Sequence, residues 1–136
     1  MKNNLVLADT TVWIHFLRGN SEAVRSRLVP LLAADRLATA DIIMMEVLRG
    51  ARSQKDYDAL QKDLAALHCL EIGKKVWERA SRIGFLLRGK GISVPLADTL
   101  IAAVAMEYDC LLLHDDRHYE MIAGVTKVKT ERLAAG

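Results

Sequence analysis

Short apolar runs alternate along the chain with longer stretches in which apolar and polar residues recur at helical spacing. The runs "LVLA" at 5–8, "RLATA" at 36–40, "HCLEI" at 68–72 and "CLLL" at 110–113 are rich in Val, Ile and Leu and predict strands. A last short strand followed by a frayed tail is expected in "KVKTERLAAG" at 127–136. Helical patterns fill 11–18, 22–34, 41–51, 54–66, 74–89, 96–107 and 117–123. Strands alternating with helices predict an α/β fold, with a parallel sheet of about four to five strands flanked by helices. The unbroken "CLLL" suits a strand buried on both faces.

Several boundaries carry their own signals. Ser21, ahead of "EAV", is a helix N-cap followed by an acid that suits the positive end of the helix dipole. "RGKGIS" at 88–93 ends a long amphipathic helix and reads as a loop. Pro95 opens the next helix, where the first turn has no helical bond for a proline to lose. Neither a repeat nor a linker divides the chain, so residues 1–136 are expected to form one domain.

Composition narrows the class without naming a function. Half of the 136 residues (51%) are hydrophobic, enough for a sizeable core, and a net charge of +2 with 26% charged residues excludes a basic tail as the source of any nucleic-acid binding. The N-terminal apolar stretch is cut by Asp9, and the longest uninterrupted apolar run, "LIAAVAM" at 100–106, is far short of the roughly 20 residues that span a bilayer. The expectation is a soluble, cytoplasmic protein with no membrane segment. Cys69 and Cys110 form no CxxC pair and read as two buried, reduced thiols.

The acids are the informative residues. In open α/β sheets ligands bind beyond the carboxyl ends of the strands. Asp9 follows the first strand directly, Asp115 and Asp116 follow "CLLLH", Asp98 lies near the start of the helix opened by Pro95, and Glu46 interrupts the apolar helix "DIIMMEVL". Each alone has an ordinary structural reading: Asp9 as an N-cap, Asp98 as a dipole partner, Glu46 as an ion pair with Arg49, and Asp115 and Asp116 as loop residues. Together they can converge at one end of one sheet. Carboxylates gathered there raise one another's pKa unless a cation neutralises them. An oxygen-only donor set, with no Cys or His at ligand spacing, favours Mg²⁺ or Mn²⁺ over zinc and suits phosphoester chemistry.

"LADTTVWIHFLRG", "MMEVLRGA", "PLADTLIAAVA" and "LLLHDDRHYEMI" resemble, in that order, the four acidic motifs of PIN-domain ribonucleases, specifically the VapC toxins of VapBC toxin–antitoxin pairs. The resemblance implies a PIN fold with Asp9, Glu46, Asp98 and Asp116 as the catalytic, metal-binding quartet, and Asp115 as a second candidate for the fourth place. Thr11 would be a supporting hydroxyl, holding the Asp9 side chain or a water. Two positions of the fourth motif depart from the family: His114 replaces the usual Thr or Ser, and Tyr119 the usual Phe. His15, His68 and His118 read as packed or surface residues and receive no catalytic role.

The resemblance further implies a Mg²⁺-dependent endoribonuclease, with Mn²⁺ as the other candidate ion. Water would be the nucleophile, leaving 5′-phosphate and 3′-hydroxyl ends. A homodimer is implied, with the apolar helices 22–34 and 41–51 as candidate faces, and so is inhibition by a VapB-like antitoxin that presents a basic side chain to the acids. Arg18, Arg49, Arg52 and Arg117, with Lys55, Arg88 and Lys90, flank the motifs as candidates for a phosphate-binding rim on RNA. With only 5% aromatics, an extensive base-stacking platform is not expected. The rival readings are a PIN nuclease of RNA maturation and a receiver-like Mg²⁺-binding signalling domain. The latter expects paired acids after the first strand and an acid after the middle strand, where this chain has Asp9 alone and a helical Glu46.

Overall fold

The computed structural model describes residues 4–134; residues 1–3 and the last two residues of the expected frayed tail lie outside them. Five strands and seven helices follow one another as β1 (Val6–Ala8), α1 (Thr10–Arg18), α2 (Glu22–Ala33), β2 (Leu37–Thr39), α3 (Asp41–Leu48), α4 (Gln54–Ala65), β3 (His68–Cys69), α5 (Lys74–Gly89), α6 (Leu96–Glu107), β4 (Leu111–His114), α7 (Arg117–Ala123) and β5 (Thr130–Arg132). The sheet order is β3-β2-β1-β4-β5 and every pairing is parallel. The order reverses between β1 and β4, which is where a parallel sheet opens a crevice at its carboxyl edge.

The central strands are short because they are buried on both faces and stop where the chain must turn into a helix. Val6, Leu7 and Ala8 of β1 and Leu112 and Leu113 of β4 are all buried. On the sheet lies α6, whose residues Thr99 to Ala105 are buried without interruption. Its outer side is covered by α5.

Capping chemistry sets most helix ends. Ser21 Oγ accepts from Val24 N at 3.3 Å, and Gly19 closes α1 in the left-handed region (φ 66°), where its N–H reaches the carbonyls of His15 and Phe16. Pro95 is the N-cap of α6 and its carbonyl accepts from Asp98 N and Thr99 N. Two elements are shorter than the hydrophobic pattern predicts. α3 ends at Leu48: Arg49 N still reaches the Met45 carbonyl, but the amides of Gly50 and Ala51 tighten onto the carbonyls three residues back. β3 keeps only two of the five expected residues: it is an edge strand, and its partner β2 ends at Thr39 to enter α3. The same edge position leaves Cys69 exposed, against the expectation of two buried thiols; Cys110 is buried.

Among the described residues no helix is long and apolar enough to cross a membrane.

Candidate active site

Asp9 ends β1 at the crevice with 1% of its surface exposed. Its Oδ1 accepts from Val12 N at 3.1 Å and from Thr11 Oγ1 at 2.6 Å. The capping reading and the site reading of Asp9 therefore describe one side chain: the cap fixes the carboxylate at the strand end. Thr11 has a second task, because its hydroxyl oxygen accepts from Asp115 N at 3.0 Å and so ties the β1 end to the β4 end.

Asp116 repeats the arrangement on the neighbouring strand. It caps α7, with Oδ1 accepting from His118 N at 3.0 Å. Asp115 turns the other way: its carboxylate meets His15 Nε2 at 3.1 Å and Arg132 Nε at 3.3 Å, and Arg132 also pairs with Glu120. These partners make Asp115 a brace between α1, β5 and the β4–α7 loop, while Asp116 faces Asp98. Glu46, on α3, accepts from Thr10 Oγ1 at 2.6 Å. Asp98, in the first turn of α6, has Oδ2 at 3.0 Å from His118 Nδ1 and Oδ1 in a long, 3.4 Å hydrogen bond from the Tyr119 hydroxyl.

Electrostatics follow from this crowding. Burial pushes the Asp9 carboxyl up to about 7, against the lowering effect of the Thr11 and backbone donors, and the charge of Asp98 adds to the rise. Asp98 is also raised, first by burial and then by the charges of Asp116 and Glu46, although His118 pulls it down. Such a set is relieved by a cation. Asp98, Asp116 and His118 each place one donor atom within 4.8 Å of the others. That donor set fits a divalent metal ion.

Four residues make contacts at the site that the sequence reading did not assign. His118, read there as packed or surface, stands in the cluster, with Nδ1 3.0 Å from Asp98 Oδ2 and 3.0 Å from Asp116 Oδ1. The donor set is thus not oxygen alone. Tyr119 is fully buried and its hydroxyl reaches both Asp98 and Asp9, so the exchange from Phe adds a hydrogen-bond donor in the middle of the acids. His114 is buried against the Tyr119 ring, with ring centroids 5.0 Å apart, and its Nδ1 accepts from Asp116 N at 3.2 Å. Burial lowers its pKa, which suits the neutral ring this bond requires. Thr10 is the fourth, since a hydroxyl beside the expected Thr11 looks redundant in sequence, yet it alone donates to Glu46. The only available signal was the pair of family departures at 114 and 119, which lie against each other.

The basic residues divide by distance from the acids. Arg117 follows Asp116 directly, Arg49 and Arg52 lie just past α3, and Arg18 is at the far end of α1, about 12 Å along the helix from its start. All four are exposed and, among the described residues, none is paired with a carboxylate.

Comparison with known proteins agrees with this geometry. The PIN domain model matches residues 6–125. The ribonuclease VapC18 of Mycobacterium tuberculosis is 33% identical over 127 residues, covering 90% of each chain, and ribonuclease VapC21 of the same species is 36% identical over 123 residues, covering 87% of this chain and 88% of the relative. Among solved structures, VapBC2 from Rickettsia felis, crystallised on a DNA fragment from its promoter, superposes with a TM-score of 0.81 at 15% identity, over 96% of this chain and 99% of that one. The fold, the order of the acidic motifs and these relatives agree: the chain belongs to the PIN-domain family, among the VapC ribonucleases.

Proposed function

We propose that residues 1–136 work as one PIN domain, a divalent-metal-dependent endoribonuclease that serves as the toxin of a toxin–antitoxin pair in the cytoplasm. The observation that carries the reading is the convergence of Asp9, Glu46, Asp98 and Asp116, from four separate elements, on the crevice between β1 and β4, two of them with raised pKa values. These four would hold Mg²⁺, with Mn²⁺ as the other candidate; the ion supplies charge neutralisation and polarisation of water and phosphate.

The chain's own residues do the rest. Thr11 and Thr10 orient Asp9 and Glu46 through 2.6 Å hydrogen bonds, so neither carboxylate has to be ordered when a substrate arrives. Tyr119 and the His114 ring wall off the inner side of the acids from water, since both are buried. Arg117, Arg49, Arg52 and Arg18, which among the described residues pair with no carboxylate, provide phosphate contacts that grow weaker as salt rises. In this reading water is the nucleophile.

The VapBC neighbours support a VapB-like antitoxin as partner; in this reading the acidic crevice takes a basic group of that antitoxin. A homodimer is part of the proposal; Val29 and Leu32 of α2 and Met45 of α3 are exposed apolar side chains on the helices expected to form it.

The test is cleavage of total RNA by antitoxin-free protein with Mg²⁺ or Mn²⁺, beside EDTA and the Asp9→Asn and Asp98→Asn variants. Discrete 5′-phosphorylated fragments, lost with EDTA and in both variants, are expected. Fragments that persist with EDTA, or that end in a 2′,3′-cyclic phosphate, would overturn the mechanism.

A further inference from the structure

The His118 ring lies against two of the acids. Its backbone N–H is fixed by Asp116 Oδ1 at 3.0 Å, which sets the first turn of α7, and its Nδ1 then lies 3.0 Å from one oxygen of Asp98 and 3.0 Å from one of Asp116. One ring N–H thus has two carboxylate oxygens to serve. Three donor atoms, each within 4.8 Å of the others, are close enough to share one cation. The second oxygen of Asp98 is engaged by Tyr119, which leaves the Oδ2 side for the point faced by His118.

We infer that His118 Nδ1 is a nitrogen ligand of the metal site, and that the site is therefore built for a first-row transition ion of the Mn²⁺ class in preference to Mg²⁺. The inference rests on the metal-site reading above and goes beyond it in naming the donor and the ion class. Mg²⁺ binds oxygen donors and keeps its waters; imidazole favours first-row transition ions, and Mn²⁺ accepts it while remaining compatible with the surrounding carboxylates. An oxygen-only quartet offers the bound ion no nitrogen, which is what sets the two arrangements apart.

The test is binding of Mn²⁺ alone to the full-length, metal-free protein, followed by the free-ion electron paramagnetic resonance signal, with Mg²⁺ as competitor. Pulsed measurements on the bound Mn²⁺ then look for a directly coupled nitrogen. In the wild type, Mn²⁺ is expected to bind at least about tenfold more tightly than Mg²⁺ and to show imidazole nitrogen coupling. His118→Asn, checked for intact folding by circular dichroism, should lose the coupling and narrow the Mn²⁺-to-Mg²⁺ preference by about tenfold. His15→Asn, on the Asp115 brace, should keep both. Bound Mn²⁺ without coupled nitrogen, or a His118→Asn variant with coupling and preference unchanged, would overturn the role of His118 and leave the carboxylate site standing. Failure of the folded wild type to bind either ion, or Asp98→Asn binding both as well as wild type, would instead overturn the metal-site reading itself.

Discussion

The loops that leave β1 and β4 are built alike and behave differently. In both, an Asp at the strand end caps the following helix: Asp9 through Val12 N, Asp116 through His118 N. Asp9 is sealed in, with 1% of its surface exposed, whereas 26% of the Asp116 side chain is open and His118 stands beside it. The same capping geometry therefore yields a carboxyl pushed up to about 7 on one strand and an open donor, next to an imidazole, on the other. Burial and neighbours, not the local motif, set the two acids apart: one is sealed in and its carboxyl raised, and the other is open beside an imidazole.

The comparison breaks first at the acids themselves. Replacing Asp9 or Asp98 by Asn should cut RNA cleavage by more than the roughly hundredfold that supporting residues of metal sites cost, while the variants remain folded. An active Asp9→Asn enzyme would show that the buried strand end plays no part in the chemistry.

The next effect concerns pH. The folded protein holds the Asp9 proton up to about 7, and the unfolded chain releases it near the ordinary 3.8. Between those values the native state binds more protons than the unfolded one, so Asp9 makes metal-free protein less stable as pH rises from about 4 to about 7, and the trend then levels off. The gap is worth at most about 4 kcal/mol, at about 1.4 kcal/mol per pH unit. Urea unfolding in EDTA should show Asp9→Asn gaining on the wild type across that window; parallel curves would refute the burial account.

Thr11→Val removes the hydroxyl that joins Asp9 to the Asp115 amide. A loss of about 1–3 kcal/mol is expected, because a part-buried N–H and a buried carboxylate each lose a partner. Unfolding unchanged within error would mean that the two strand ends are held together by the ladder alone.

The smallest effect on stability belongs to Tyr119→Phe, which keeps the ring against His114 and deletes only the hydroxyl aimed at Asp98. Stability should change by no more than about 1 kcal/mol, with metal affinity falling about tenfold. Equal affinity would reduce Tyr119 to packing.

Much of this was legible in sequence. Buried parallel strands appear as apolar runs, so β1, β2 and β4 fall within about a residue of expectation, and Ser21 marks the start of α2 because a cap is a local event. The strand-end acids could be read for the same reason: Asp9 sits at the end of an apolar run, whatever the tertiary structure does. What could not be read depends on contacts made across the fold. Only the Asp116 cap turns α7 so that His118 and Tyr119 face Asp98 from a different helix, and a ring at 118 or 119 has no sequence mark of that direction. Asp115 and Asp116 differ by partners from α1, α6 and β5, far away in the chain. Cys69 is exposed because its strand is a two-residue edge, which nothing in "HCLEI" signals.

The central claim is that the β1–β4 crevice is an acid cluster awaiting a divalent cation. Its most direct test is the unfolding free energy of the EDTA-treated wild type at neutral pH, before and after Mg²⁺ or Mn²⁺ is added in excess. Stabilisation of about 2.7 kcal/mol at a hundredfold excess over the dissociation constant is predicted, and it should vanish in Asp98→Asn. Identical unfolding with and without either ion, in protein that is otherwise folded, would contradict it.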